Sequence, residues 1–148
     1  MAAAKMTGIA MVGCGYVADS YRHCLSLHAD SLNLVGVFDR DAARLEAFRA
    51  CWGDRVYRSL DELLDDRRVD IVLNLTDPES HFAVTQAAIA AGKHVYTEKP
   101  LAMTFDQAVA LRDAARAAGV RMGAAPCNML GEAAQTIWRA VRDGRIGR

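Results

Sequence analysis

No Cys-x-x-Cys pair occurs in this chain. Its four cysteines stand apart at Cys14, Cys24, Cys51 and Cys127, a spacing that indicates neither a zinc site nor a disulfide framework. A charge excess is equally missing: 18 Lys and Arg balance 18 Asp and Glu. Nothing therefore invites nucleic acid, and there is no acidic or basic tail. The longest apolar runs fall far short of the ~20 residues a membrane span requires. The N-terminus lacks the hydrophobic segment and cleavage site of a secretory signal. These absences predict a reduced, cytoplasmic chain with no membrane partner, no nucleic-acid partner and no bound metal. What is present, 148 residues of which 52% are hydrophobic, suffices for one domain over residues 1–148 around a single core.

The most informative stretch is Ile9-Ala10-Met11-Val12-Gly13-Cys14-Gly15-Tyr16-Val17-Ala18, an apolar strand running into a G-x-G-x-x-A turn. Asp39 closes the next apolar run, Leu32 to Phe38, about 20 residues further on, where a dinucleotide site needs a ligand for its ribose. Gly13 allows a tight turn out of the strand, and Gly15 has no Cβ to keep a pyrophosphate from the backbone. Ala18 lets the following helix lie close to the sheet, and that helix aims its free N–H groups and positive dipole end at the phosphates. Cys14 sits at the same helix start, which favours a thiolate. With no base in view, it reads rather as a small residue in a crowded turn.

Short β-branched runs alternate with longer amphipathic stretches. Strands are predicted at Ile9–Val12, Leu32–Phe38, Arg55–Tyr57, Ile71–Leu75, His94–Thr97 and Val120–Ala124. Helices are predicted at Val17–Leu27, Asp41–Ala50, Leu60–Asp65, Phe82–Ala91, Phe105–Ala118 and Glu132–Asp143. Ser59 with Glu62 and Thr104 with Gln107 have capping-box spacing, and Gly92, Gly119 and Gly144 sit where helix-ending glycines belong. Strict βα alternation with continuous apolar strands predicts an α/β fold: a doubly wound Rossmann sheet, all parallel, in the order 3-2-1-4-5-6. Ligands of such sheets bind outside the carboxyl ends of the strands.

At two of those ends stand Asn74-Leu75-Thr76-Asp77-Pro78-Glu79-Ser80-His81 and His94-Val95-Tyr96-Thr97-Glu98-Lys99-Pro100. Together with the glycine turn and Asp39-Arg40, these segments resemble the N-terminal domain of the glucose–fructose oxidoreductase and inositol dehydrogenase family (Gfo/Idh/MocA). The run from Ala91 to Ala102 is similar to that family's signature almost residue for residue. The resemblance implies an NAD(P)-dependent oxidoreductase acting on sugars, cyclitols or related hydroxyl compounds. It implies that Lys99 reaches the substrate hydroxyl and the nicotinamide edge, where a cation stabilises the charge that develops on oxygen during hydride transfer. Glu98, Thr76, Tyr16 and Val17 are implied as cofactor-site residues. His81 matches the family's histidine beside the cofactor, although a residue opening a helix can equally bond nearby backbone. His94 opens a buried strand and reads as a satisfied core histidine.

Asp39 favours NAD, because a carboxylate accepts from both ribose hydroxyls and repels a 2′-phosphate. Arg40 leaves NADP open, since it can stack on adenine or pair with that phosphate. Two departures from the family stand out. Pro126-Cys127-Asn128-Met129-Leu130-Gly131 replaces an arginine-bearing turn, and residues 143–148 fall where the family enters a second, sheet-rich domain. The resemblance places a histidine and an acid of the active site, the substrate pocket and the dimer face in that second domain. The leading expectation is thus the cofactor half of an oxidoreductase, self-associating through the face that the second domain would cover. The alternative is a stand-alone nucleotide-binding module without catalysis.

Overall fold

The computed structural model describes residues 6–53 and 55–147. The two ends of the expected 1–148 domain and the side chain of Cys127 lie outside the described residues. Five parallel strands form one sheet: β1 (Thr7–Val12), β2 (Leu32–Phe38), β3 (Ile71–Asn74), β4 (His94–Thr97) and β5 (Met122–Ala124), in the order β2-β1-β3-β4-β5. Helices α1 (Ala18–Ser26), α2 (Ala42–Trp52), α3 (Leu60–Asp65), α4 (Pro78–Ala90), α5 (Phe105–Ala118) and α6 (Glu132–Arg142) connect or follow them. None of these helices is long and apolar enough to cross a membrane.

The expected third strand is present only as a trace. Arg55–Tyr57 meets β2 through one parallel bridge, Val37 to Val56, with Tyr57 N donating to Val37 O at 2.9 Å. Counting that bridge as the edge strand restores the doubly wound order. Its shortness leaves a small edge, the usual protection of a sheet against further pairing.

Side chains of β1 alternate between two cores. Ile9 and Met11 pack with Ala18, Val37, Phe48, Leu73 and Leu75, and Leu25 and Leu45 join that side, so α1 and α2 cover one face. Ala10 and Val12 pack with Leu63, Val72, Ile89, Val95, Leu111 and Ala115, so α3, α4 and α5 cover the other. A bulge breaks the register of β2: Ile9 stands opposite Leu34, but Ala10 stands opposite Gly36. Val35 is the extra residue, which is why Val35 and Val37, two apart, serve opposite faces.

Side-chain caps start α2 through α5. Ser59 accepts from Glu62 N at 3.0 Å while Glu62 reaches back to the Arg58 amide at 2.7 Å. Thr104 and Gln107 repeat the arrangement, with Gln107 bonding the Met103 amide at 3.2 Å. In each pair the returning bond goes to the residue before the cap, one place earlier than in a standard capping box. Helix α4 begins four residues before the predicted Phe82. Asp77 accepts from Ser80 N and Pro78 occupies the first turn, a start signal of acid cap plus preset φ that the apolar periodicity alone does not reveal. The Pro126–Gly131 segment folds as a 3₁₀ turn over Cys127–Leu130.

Candidate functional site: a crevice at the strand ends

The chain leaves β1 through Gly13 at φ +100°, and a Cβ there would lie 2.6 Å from the Leu75 carbonyl carbon. Only glycine combines that dihedral with so close an approach to the end of β3. Gly15 is different. Its φ is unremarkable, and an added Cβ would meet nothing within 4 Å. The open side belongs to a crevice of about 640 Å³, which Gly15 lines.

At the start of α1 the Val17 cap position provides no side-chain bond, whereas Asp41, Ser59, Asp77 and Thr104 cap α2, α3, α4 and α5. The Ala18 amide donates to Gly15 O at 3.0 Å, and no side chain caps the amides that follow it, so this helix start and its dipole suit an anion. Opposite them stands Asp39. Its Oδ2 accepts from the Cys14 amide at 2.7 Å and its Oδ1 from the Asp41 amide at 2.8 Å. An ionised carboxylate has about four lone-pair sites, so two backbone bonds leave capacity for two hydroxyl donors.

Of the residues singled out in the sequence, Gly13, Gly15, Tyr16, Val17, Asp39, Arg40 and Thr76 line this crevice together. Tyr16 is 98% exposed, a ring standing free at the rim. Glu98 and Lys99 follow β4, outside the lining of the crevice. Glu98 is held from two sides, accepting from Tyr21 OH at 2.8 Å and from Lys99 N at 3.0 Å. Lys99 is exposed.

His81 takes no place in the lining. It is 1% exposed, in the first turn of α4, and its ring nitrogens face the carbonyl oxygens of Thr76 and Pro100. Of the two roles open to it, the geometry shows the backbone-bonding one, and it links the loop after β3 to the loop after β4. Asn74 completes this polar layer, donating to His81 O and to Thr85 Oγ1, both at 3.0 Å, and accepting from Thr76 Oγ1 at 2.7 Å. Asn74, Thr85 and Thr97 are fully buried, and a polar group so placed must be bonded to be tolerated. His94 Nδ1 accepts from Arg121 N at 3.0 Å, but the residue is only half-buried at the strand start and does not join the core. Cys14 packs against the α1–α2 core. Lys93, inside the signature-like run, bonds the Asp66 and Val69 carbonyls at 2.9 Å each and ties α3 to the start of β4.

Sequence reasoning assigned no site role to four charged crevice residues: Asp41, Arg44, Asp77 and Glu79. Asp77 was discoverable as the acid of an Asp-Pro helix start. Its carboxyl is held below the ordinary carboxylate range, first by the Ser80 hydroxyl and then by the Ser80 amide and the Arg40 guanidinium. Among the described residues, no group of three His, Cys, Asp or Glu is placed to hold a metal ion.

Residues 7–125 match a family described as "Oxidoreductase family, NAD-binding Rossmann fold" (GFO_IDH_MocA). The chain is 32% identical over 139 residues to a D-apiose dehydrogenase of Paraburkholderia graminis, covering 93% of this chain and 37% of that protein. Among solved structures, an NAD-binding protein from Listeria innocua superposes with a TM-score of 0.86 at 32% identity, over 97% of this chain and 42% of that one. The WlbA dehydrogenase of Bordetella pertussis, solved with NADH and UDP-GlcNAcA, gives 0.91 at 28% identity, over 97% and 42%. The chain thus spans little more than a third of the length of the curated relative.

Proposed function

Because the chain belongs to the Gfo/Idh/MocA oxidoreductase family through its NAD-binding Rossmann domain, we propose that it is the cofactor half of an NAD-dependent oxidoreductase. The reaction it serves moves a hydride between the nicotinamide and a hydroxyl or keto carbon of a sugar, cyclitol or related compound. The observation that carries this reading is the pairing of an open Gly15 with an uncapped α1, facing a carboxylate at the end of β2.

The residues present fit a dinucleotide. Gly15 and the amides at the start of α1 would take the pyrophosphate, and Asp39 the adenosine ribose. When bound, the nicotinamide supplies the site that gains or gives up the hydride. Lys99 would polarise the substrate oxygen, its ammonium offsetting negative charge there. Glu98, fixed by Tyr21, holds the Lys99 amide and so the direction in which the lysine leaves the strand. His81 supports the same loop from below through the Pro100 carbonyl. The proton acceptor and the wall that orients a substrate, both required for efficient hydride transfer, are assigned to a further domain, for which the longer relatives have room.

The exposed apolar residues of α6, Ile137, Trp138 and Val141, with Met129 and Leu130 before it, form the self-association face. In the 148-residue chain its occupant is a second copy.

Titration of the chain with NADH, followed by nucleotide fluorescence, tests the central claim. Saturable binding that Asp39→Ala weakens at least tenfold supports it. Binding indifferent to Asp39→Ala and to Gly15→Val places the cofactor elsewhere and overturns it.

A further inference from the structure

Both arginines that line the crevice are already held by carboxylates. Arg40 Nη2 lies 3.1 Å from Asp77 Oδ2, a pair that joins the end of β2 to the cap of α4. Arg44 Nε lies 3.5 Å from Asp41 Oδ2. Asp39 and Glu79 add two more carboxylates to the same lining, so acids outnumber guanidinium groups four to two there.

We propose that Asp77 is a second selector for a dinucleotide lacking a 2′-phosphate, acting by holding the Arg40 guanidinium that such a phosphate would need. This rests on the cofactor reading above and deepens it. The first selector is Asp39, next to Arg40 in sequence. Asp77 comes from a different strand end, 37 residues further along, and meets Arg40 only in the folded chain.

The chemistry is direct. A 2′-phosphate carries nearly two negative charges and is recognised best by a guanidinium offering a fork of N–H donors. For Arg40 to do this it must leave Asp77, so a 2′-phosphate has to displace that carboxylate from the guanidinium while facing Asp39. NAD makes no such demand, since its ribose hydroxyls donate to Asp39 and leave the Arg40–Asp77 pair intact. The pair itself is exposed, 79% and 44% at its two side chains, and contributes little to folding. The Ser80 hydroxyl and amide stabilise the ionised form of Asp77 and hold its carboxyl below the ordinary carboxylate range. The cap it gives α4 needs only an oxygen, which Asn supplies as well as Asp.

The test compares dissociation constants for NADPH and NADH in the chain itself, in Asp77→Asn, in Arg40→Ala and in the double variant. Thermal melts followed by circular dichroism confirm that each is folded; if Asp77→Asn is not, Asp77→Ser keeps a cap without the charge. The expected result is a preference of the unsubstituted chain for NADH. Asp77→Asn lowers the NADPH/NADH ratio of dissociation constants by about three- to fivefold, the upper end of the scale of one exposed charge interaction. In the Arg40→Ala background the same substitution moves the ratio by less than about twofold, the mark of an effect carried through Arg40. An unchanged ratio in Asp77→Asn overturns the proposal, as does a full shift that survives the loss of Arg40, or an initial preference for NADPH. A chain that binds neither dinucleotide overturns instead the cofactor reading beneath it.

Discussion

Asp39 and Cys14 are joined by a 2.7 Å hydrogen bond from the Cys14 amide to the Asp39 carboxylate, 25 residues away along the chain. The acid that would read the ribose is therefore also the group that holds the glycine turn in shape. Replacing it by Ala removes two backbone bonds as well as the proposed ribose contact. Asp39→Ala is expected to cost about 1–3 kcal/mol in denaturant unfolding, beyond its effect on NADH binding. An Asp39→Asn variant keeps one acceptor oxygen and should recover part of that stability without recovering full affinity.

The two glycines of the turn should separate cleanly. Gly13→Ala forces a Cβ to 2.6 Å from the Leu75 carbonyl carbon at a positive φ, so a loss of at least about 2 kcal/mol is expected. A Cβ added at Gly15 meets no protein atom within 4 Å, so Gly15→Val should cost far less stability than Gly13→Ala while abolishing saturable NADH binding. Equal damage to stability from both substitutions would contradict this division.

Tyr57 provides a pH signature. Its ring is fully buried, its hydroxyl donates to Asp66 Oδ2 at 2.9 Å, and Arg55 lies over the ring at 4.7 Å. Burial first, then the bond to Asp66, pushes the phenol well above its ordinary value of 10.0. Because the folded value is the higher one, the stabilisation is complete below pH ~10 and is lost as pH rises above that toward the folded value. Tyr57→Phe is expected to cost about 1 kcal/mol near neutral pH. The gap between the two proteins in urea unfolding should shrink above pH ~10. A gap that stays constant there would show that the hydroxyl ionises as freely in the folded state as in the unfolded one.

On the half-enzyme reading, which assigns the proton acceptor and the substrate wall to a further domain, the 148-residue chain is expected to bind cofactor without turnover. In a longer protein carrying this domain, Lys99→Ala should lower kcat/KM for a polyol or sugar by about 10²–10³, the scale of losing one charge-stabilising group. The loss of NADH affinity should be far smaller. Robust dehydrogenase turnover from the 148 residues alone would falsify the half-enzyme reading.

Sedimentation velocity checks the self-association face. Val141, the least exposed of the α6 trio, is still 40% exposed, with Ile137 at 60% and Trp138 at 52%. Ile137→Glu is expected to shift a concentration-dependent dimer to monomer. A chain that stays monomeric at high concentration removes the proposal.

Local chemistry written in consecutive residues determined much of this protein. The glycine turn, the Ser59 and Thr104 caps, the alternating apolar strands and the carboxylate after β2 all depend on backbone sterics and hydrogen bonds within a few residues, so they are readable in order along the chain. The family resemblance rests on similarly contiguous runs. Tertiary structure decided the rest. Only the packed sheet reveals that Arg55–Tyr57 pairs through a single bridge, or that a bulge at Val35 sends neighbouring valines to opposite cores. His81 looks like a site residue in sequence, yet burial between two loops directs its ring at the Thr76 and Pro100 carbonyls. The Arg40–Asp77 pair joins residues brought together by two parallel crossovers. Contacts of that kind depend on where strand ends converge in space, and no local pattern of residues encodes that convergence.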